Sequence, residues 1–218
     1  MSGIKVVKNR FDVIEKYVAG KKVLDLGCVD ARPDGQKKYQ TTGLHYFLSN
    51  KAARTVGVDM DAEGVEMLNK EGYEVFSGNV ENICLNEKFD CIVAGEIIEH
   101  LSNPGLFLEN MKNHMDRDSF IIITAPSAFS IVNFFRILRK NTIKVHKQHT
   151  CWFDPITISQ LLTRHSFVIK EMYFANKSKW YETRNLFKPK YAIPRLFCNL
   201  RSYFSGVVVV VASLTKEA

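Results

Sequence analysis

Two short stretches hold the side chains best suited to chemistry. One is GEIIEHL at 95–101, where an apolar run gives way to Glu96, Glu99 and His100; the other is KVHKQHTCWFDP at 144–155, with His146 and His149. Glu96, Glu99, His100 and His149 make a set of two carboxylates and two imidazoles. Such donors suit a divalent cation: Mg²⁺, Mn²⁺, Fe²⁺ or Zn²⁺. An ion there would bind an acceptor hydroxyl and lower its pKa. The set also works without metal. His100 or His149, as an imidazole near neutral pH, takes the proton of a hydroxyl, with Glu99 as a further catalytic candidate. A third reading makes the stretch a surface helix cap with satisfied carboxylates. Trp152 and Phe153 either stack on a substrate ring or pack in the core. His45, His114 and His165 read as ordinary helix-surface residues.

A second group of residues speaks to a ligand. In VLDLGCVDA (23–31) an apolar run carries Asp25 and breaks at Gly27. A glycine turn lets a ligand approach the backbone closely. A dinucleotide binder would place G-x-G-x-x-G here for pyrophosphate; this chain offers one glycine and a carboxylate, which repels phosphate. VGVDMD (56–61) ends its run at Asp59, placed to accept both hydroxyls of a ribose. In SGNVEN (77–82), Asn79 can meet an adenine edge. Together these residues ask for a phosphate-free, positively charged nucleoside, and S-adenosylmethionine fits that description.

The elements that must position these groups alternate along the chain. Residues 8–19 predict a helix and 21–28 a buried strand. A helix over 36–53, a strand over 55–60 and a helix over 62–72 follow, with Asp61 as N-cap. Strands are predicted at 73–80 and 89–97, a helix at 103–115, and a strand at 119–126. Helices at 129–140 and 155–165 precede two last strands, 167–175 and 206–214. The alternation requires a mostly parallel sheet covered on both faces, a three-layer α/β sandwich. The last two strands lack a helical crossover, which predicts an antiparallel pair at one edge. In such sheets ligands bind beyond the carboxyl ends of the strands, where all the residues above fall.

VLDLGC, VGVDMD, SGNVEN and FDCIVAGEIIEHLSNPGLFLENM resemble, in order and at matching spacing, the successive motifs of class I S-adenosylmethionine-dependent methyltransferases. The resemblance runs over nearly the whole length. It implies a seven-stranded, Rossmann-like sheet with the last strand antiparallel. It also implies that Asp25 and Gly27 line the methionine end of the cofactor, Asp59 the ribose, and Asn79 with Val80 the adenine. Cys28, Met60 and Gly95 complete the implied cofactor-lining set. Glu96, Glu99, His100 and His149 resemble the Glu-x-x-Glu-His plus distant His set of small-RNA 2′-O-methyltransferases, and the Glu-x-x-Glu-His of ubiquinone-pathway O-methyltransferases. The chain departs from the family pattern in two places. Val29 and Ala31 replace later glycines of the first motif, and Asn79 stands where an aspartate is usual.

The 218 residues, 46% hydrophobic, suffice for a single methyltransferase domain over 1–218, with a basic, aromatic insertion at about 176–204 before the last strand. The first residues lack the apolar stretch of a signal peptide, and VVVVVA at 207–212 is too short to span a bilayer. Five scattered cysteines without a Cys-x-x-Cys pair fit a reducing, cytoplasmic setting, with Cys84, Cys91 and Cys198 read as buried small hydrophobes. The formal charge is +7. Residues 127–151 carry Arg136, Arg139, Lys140, Lys144 and Lys147 with no acid. Residues 176–201 carry seven basic residues against Glu182 alone. The segments form either solvated basic surfaces or a positive rim for an anionic substrate. The favoured reading is O-methylation of a small-molecule or glycan-type hydroxyl. Metal-dependent 2′-O-methylation of RNA is second, and a non-catalytic cofactor-binding protein third.

Overall fold

A computed structural model of the chain describes residues 4–29, 43–143, 145–175, 196–198 and 200–215. It contains strands β1 (Lys5–Val7), β2 (Lys22–Leu26), β3 (Arg54–Asp59), β4 (Glu74–Ser77), β5 (Phe89–Gly95), β6 (Met115–Pro126), β7 (Phe167–Ala175) and β8 (Val207–Leu214). The helices are α1 (Arg10–Val18), α2 (Leu44–Ser49), α3 (Ala62–Lys70), α4 (Pro104–Lys112), α5 (Ile131–Lys140) and α6 (Pro155–Arg164). The sheet order is β1-β7-β8-β6-β5-β2-β3-β4. Every neighbouring pair is parallel except those of β8, which runs antiparallel to both β6 and β7.

The strands are apolar on both faces because both are covered. Along β8, Val208, Val210 and Ala212 enter the core beneath α4 and α6, beside Phe107, Leu108, Met111, Ile158 and Leu162. Val207, Val209 and Val211 point the other way, towards Val13, Ile14 and Val18 of α1 and Leu48 of α2. This two-residue alternation is the pleat itself. Each fully buried side chain of this size contributes about 1.5–3 kcal/mol. Four of the six described helices start where a side chain satisfies a first-turn N–H: Asn9, Asp61, Asn103 and Asp154 cap α1, α3, α4 and α6. Pro104 and Pro155 sit in first turns, where the missing N–H costs nothing.

Four expectations change. The sheet has eight strands rather than seven, because β1 pairs with the outer side of β7, Lys5 opposite Tyr173. β7 is therefore not the edge strand, and the expected antiparallel pair of β7 and β8 lies one strand in from the edge. β6 begins at Met115, four residues early, where Met115 pairs with Phe89 across a register shift. Cys84 is exposed, with its thiol towards Asn86 Oδ1, whereas Cys91 and Cys198 are buried; none of the five cysteines forms a disulfide. Of the helix expected over 36–53, Leu44–Ser49 is observed and residues 36–42 lie outside the described residues. Residues 176–195 of the insertion, and Ala31, likewise lie outside them. Among the described residues no helix is long and apolar enough to cross a membrane.

Candidate active site

The first ligand-side turn follows β2. Asp25 is fully buried, and its Oδ2 lies 2.9 Å from Nδ1 of His45 on α2, itself buried. Gly57, opposite Asp25 in the sheet, permits this pair. A Cβ there would fall 2.9 Å from His45 Cε1, 2.8 Å from Cys28 Sγ and 2.5 Å from Val75 Cγ1. Beyond the strand, Gly27 takes φ +73°, and a Cβ on it would press to 3.0 Å from Ile97 Cδ1. Only glycine enters this region without strain. The turn of β2 is thus in contact with the stretch that leads to His100. His45 is no helix-surface residue, and neither is His114, which is 1% exposed. Its Nε2 accepts the Leu85 N–H, and burial pulls its pKa down.

Asp59 ends β3 with both carboxylate oxygens engaged. Oδ2 accepts the Val29 N–H and Oδ1 the Asp61 N–H, each at 2.9 Å. Each oxygen keeps one further lone pair, enough to accept a pair of ribose hydroxyls. Asp61, not Asp59, caps α3. Met60 is exposed. After β4, Asn79 Oδ1 accepts the Glu81 N–H at 2.9 Å, and its carbonyl accepts from Asn82 and Ile83. The side-chain oxygen expected to meet adenine therefore already holds the turn, with one lone pair left. Val80 and Cys28 are buried among apolar side chains.

The third region lies beyond β5 and β6. Gly95 ends β5, with no room for a Cβ, which would meet Leu44 Cδ2 at 2.4 Å. Glu96 then takes the left-handed conformation, φ +55°. Its N–H donates to the Thr124 carbonyl at 2.9 Å, and its carboxylate sits 3.1 Å from the Arg10 guanidinium. Arg10 also donates to Thr124 Oγ1. Glu96 is thus ion-paired within this turn, while its charge also acts on His100. Glu99 is 2% exposed.

A strap from the far loop fixes the rest. The Thr150 N–H donates to the Glu99 carbonyl at 2.8 Å, and its hydroxyl to the Leu101 carbonyl at 2.7 Å. The His149 N–H donates to the His146 carbonyl, closing a turn that puts both rings beside His100. Ring centroids of His100 and His149 are 4.5 Å apart, and those of His100 and His146 5.4 Å. One ring nitrogen from each of the three lies within 4.8 Å of the others. Burial first, and His146 second, pull the His100 pKa below its ordinary value, opposed by Glu96. His100 is therefore neutral at neutral pH, able to accept a proton or a metal. The structure brings together the expected His100 and His149, adds His146, and gives Glu96 another partner. The signal for His146 was the H-x-x-H spacing of 146 and 149.

Trp152 stands edge-on to His149 with centroids 6.1 Å apart, whereas Phe153 is buried in the core. Next to Leu101 and Thr150 opens a hollow of about 400 Å³, lined also by Pro104, Thr157, Gln160 and Arg164.

A mostly parallel sheet with β8 reversed between β6 and β7, and carboxylates at the tips of β2 and β3, defines the Rossmann-like methyltransferase class. The comparisons agree. A family model described as a methyltransferase domain matches residues 10–171, and the chain belongs to that S-adenosylmethionine-dependent methyltransferase family. It is 22% identical over 177 residues to a ubiquinone biosynthesis O-methyltransferase of Rickettsia prowazekii, covering 78% of this chain and 66% of that protein. It is 28% identical over 109 residues to (S)-tetrahydroprotoberberine N-methyltransferase of Eschscholzia californica, covering 48% and 29%. The chain thus spans just under two thirds of the first relative's length and under a third of the second's. Among solved structures, a SAM-dependent methyltransferase from Archaeoglobus fulgidus superposes with TM-score 0.62 at 14% identity, covering 94% and 91% of the two chains.

Proposed function

We propose that the protein transfers the methyl group of S-adenosylmethionine to a hydroxyl oxygen of a small-molecule or glycan-type acceptor. The observation that carries this reading is the half-buried His100 gathered with His146 and His149 beyond β5. Methyl transfer needs alignment and, for a hydroxyl acceptor, removal of one proton. The acceptor oxygen bonds the methyl carbon, the C–S electron pair returns to sulfur, and the hydroxyl proton passes to an imidazole. On the cofactor side, Asp59 takes the ribose hydroxyls on its remaining lone pairs, and the Gly27 turn gives the sulfonium end its backbone approach. The left-handed turn at Gly27 and the geometry of Asp59 fit that cofactor.

The three imidazoles also fit a divalent ion of the zinc or iron type. Metal–nitrogen bonds of about 2.0–2.1 Å would draw together donors that here lie within 4.8 Å of one another. His100, His146 and His149 would hold it, and when bound it would supply Lewis acidity that lowers the acceptor's pKa. The relative named as an O-methyltransferase supports oxygen as the nucleophile; the one named as an N-methyltransferase supplies the rival.

The test uses purified protein, methyl-labelled cofactor and fractions of hydroxyl-bearing small molecules and glycans, with an RNA oligonucleotide as control. Label should appear on oxygen in a small-molecule or glycan fraction, and His100→Ala should abolish it while cofactor binding by calorimetry persists. Label found only on nitrogen, only on RNA, or nowhere despite tight cofactor binding would overturn the reading.

A further inference from the structure

Exposed apolar side chains are concentrated on one helix. α5 leaves Phe134, Ile137 and Leu138 exposed, three and four residues apart and so on one face. Beside it, Phe197 and Phe204 stack against Phe135 and Phe134, with Leu196 and Leu200 exposed next to them. Segments 129–145 and 196–203 carry more than half of the exposed large apolar side chains among the described residues.

The charge on this patch has one sign. From Asp118 to Asp154 the sequence contains no other acid, while Arg136, Arg139 and Lys140 lie on α5 and Lys144 and Lys147 follow it. Arg201 adds a cation on the neighbouring segment. An apolar face flanked by cations is the pattern of a helix lying in a membrane interface. At ten residues α5 is about 15 Å long, enough to lie on a bilayer and far too short to cross one. Ile131 and Asn133 are buried, so the helix is already folded and pinned before it meets a surface. That removes the ordering cost a free peptide would carry. Six of the nine exposed apolar side chains in these segments are aliphatic and offer no ring for a base to stack on, which favours lipid over RNA as the occupant.

We propose that α5, with the adjoining 196–204 segment, docks the protein on a bilayer surface rich in anionic phospholipid. The inference stands apart from the methyl-transfer reading, since binding needs neither cofactor nor acceptor. α5 leads directly into the loop bearing His146 and His149, so docking would set that loop near the lipid surface.

The experiment is co-sedimentation of the full chain with vesicles of phosphatidylcholine, alone or mixed with phosphatidylglycerol, over a salt series. The chain should sediment with the mixed vesicles and be released by salt. Arg139→Gln with Lys140→Gln should weaken binding about fivefold for each charge removed. Ile137→Ser with Leu138→Ser should weaken it about tenfold or more. All four positions are exposed, so melting temperatures should match the parent, confirming that the variants fold. The proposal is overturned if the parent ignores mixed vesicles, if pure phosphatidylcholine binds equally well, or if both variants bind like the parent. It is equally overturned if the patch variants lose binding to RNA or to a protein while the parent never binds lipid.

Discussion

Two clusters of ionisable groups, one around Glu171 and one around His100, follow opposite rules. Glu171, near the β1 edge of the sheet, is surrounded by donors: Lys5 at 3.0 Å, Lys16 at 2.8 Å, the Tyr17 hydroxyl at 2.6 Å and the Tyr173 hydroxyl. Those hydrogen bonds hold its carboxyl far below the usual carboxylate range. Opposite types are matched, and the cluster has little need of a ligand. At His100 like is gathered with like: three imidazoles, each able to accept, with burial depressing the charge on His100. A matched cluster holds the fold together, whereas a gathering of like groups with a depressed pKa is the mark of a candidate functional site.

Substitutions can break that contrast. The largest effect belongs to the imidazoles. His100→Ala or His149→Ala should lower kcat by about 10²–10⁴-fold with cofactor affinity intact, read from saturating kinetics beside calorimetry. The pH profile sharpens the same point. Because His100 titrates below its ordinary value, it stays a free base above pH about 6.5, and the rate should fall only as pH drops through the lower value. A limb centred at or above 6.5 would assign the proton to another group.

Next comes the buried Asp25–His45 pair. Removing the imidazole takes one hydrogen-bond partner from the buried Asp25 carboxylate, so His45→Ala should cost about 1–3 kcal/mol in urea unfolding. Asp59→Asn should follow, raising the cofactor Kd by about 10–100-fold with kcat nearly unchanged, since it loses a charged acceptor. The smallest effect is expected at Glu171. Glu171→Gln should cost about 1 kcal/mol at neutral pH, because the cluster is partly solvated. The sign follows from its depressed pKa: the stabilisation is present above the unfolded value near 4.3 and lost as pH falls below it. Parent and variant melting curves should therefore converge in acid.

The sheet was legible because its strands are long apolar runs punctuated by glycine or proline, and the helices carry their caps in sequence. β1 was not legible. Lys5–Val7 is three residues long, partly exposed, and gains its meaning from Tyr173–Ala175, far away in the chain. The imidazole site was half legible. His100 and His149 were expected together, but the choice between Glu96 and His146 depended on geometry. Arg10, on a helix some ninety residues earlier, takes Glu96. The Thr150 strap, formed across the fold, delivers the 146–149 turn. Burial of His45 and His114 was hidden for the same reason: the groups that satisfy them, Asp25 and the Leu85 N–H, are not their sequence neighbours.

The short β1 has a consequence for how molecules of this protein treat one another. A bare rim on β7 would present unpaired main-chain donors and acceptors, a template for any extended segment, including that of another copy. Three residues, secured by the contact from Lys5 to Glu171, occupy part of that rim and turn a charged, half-exposed strip outward. The sheet is thereby given a stopper against end-to-end growth.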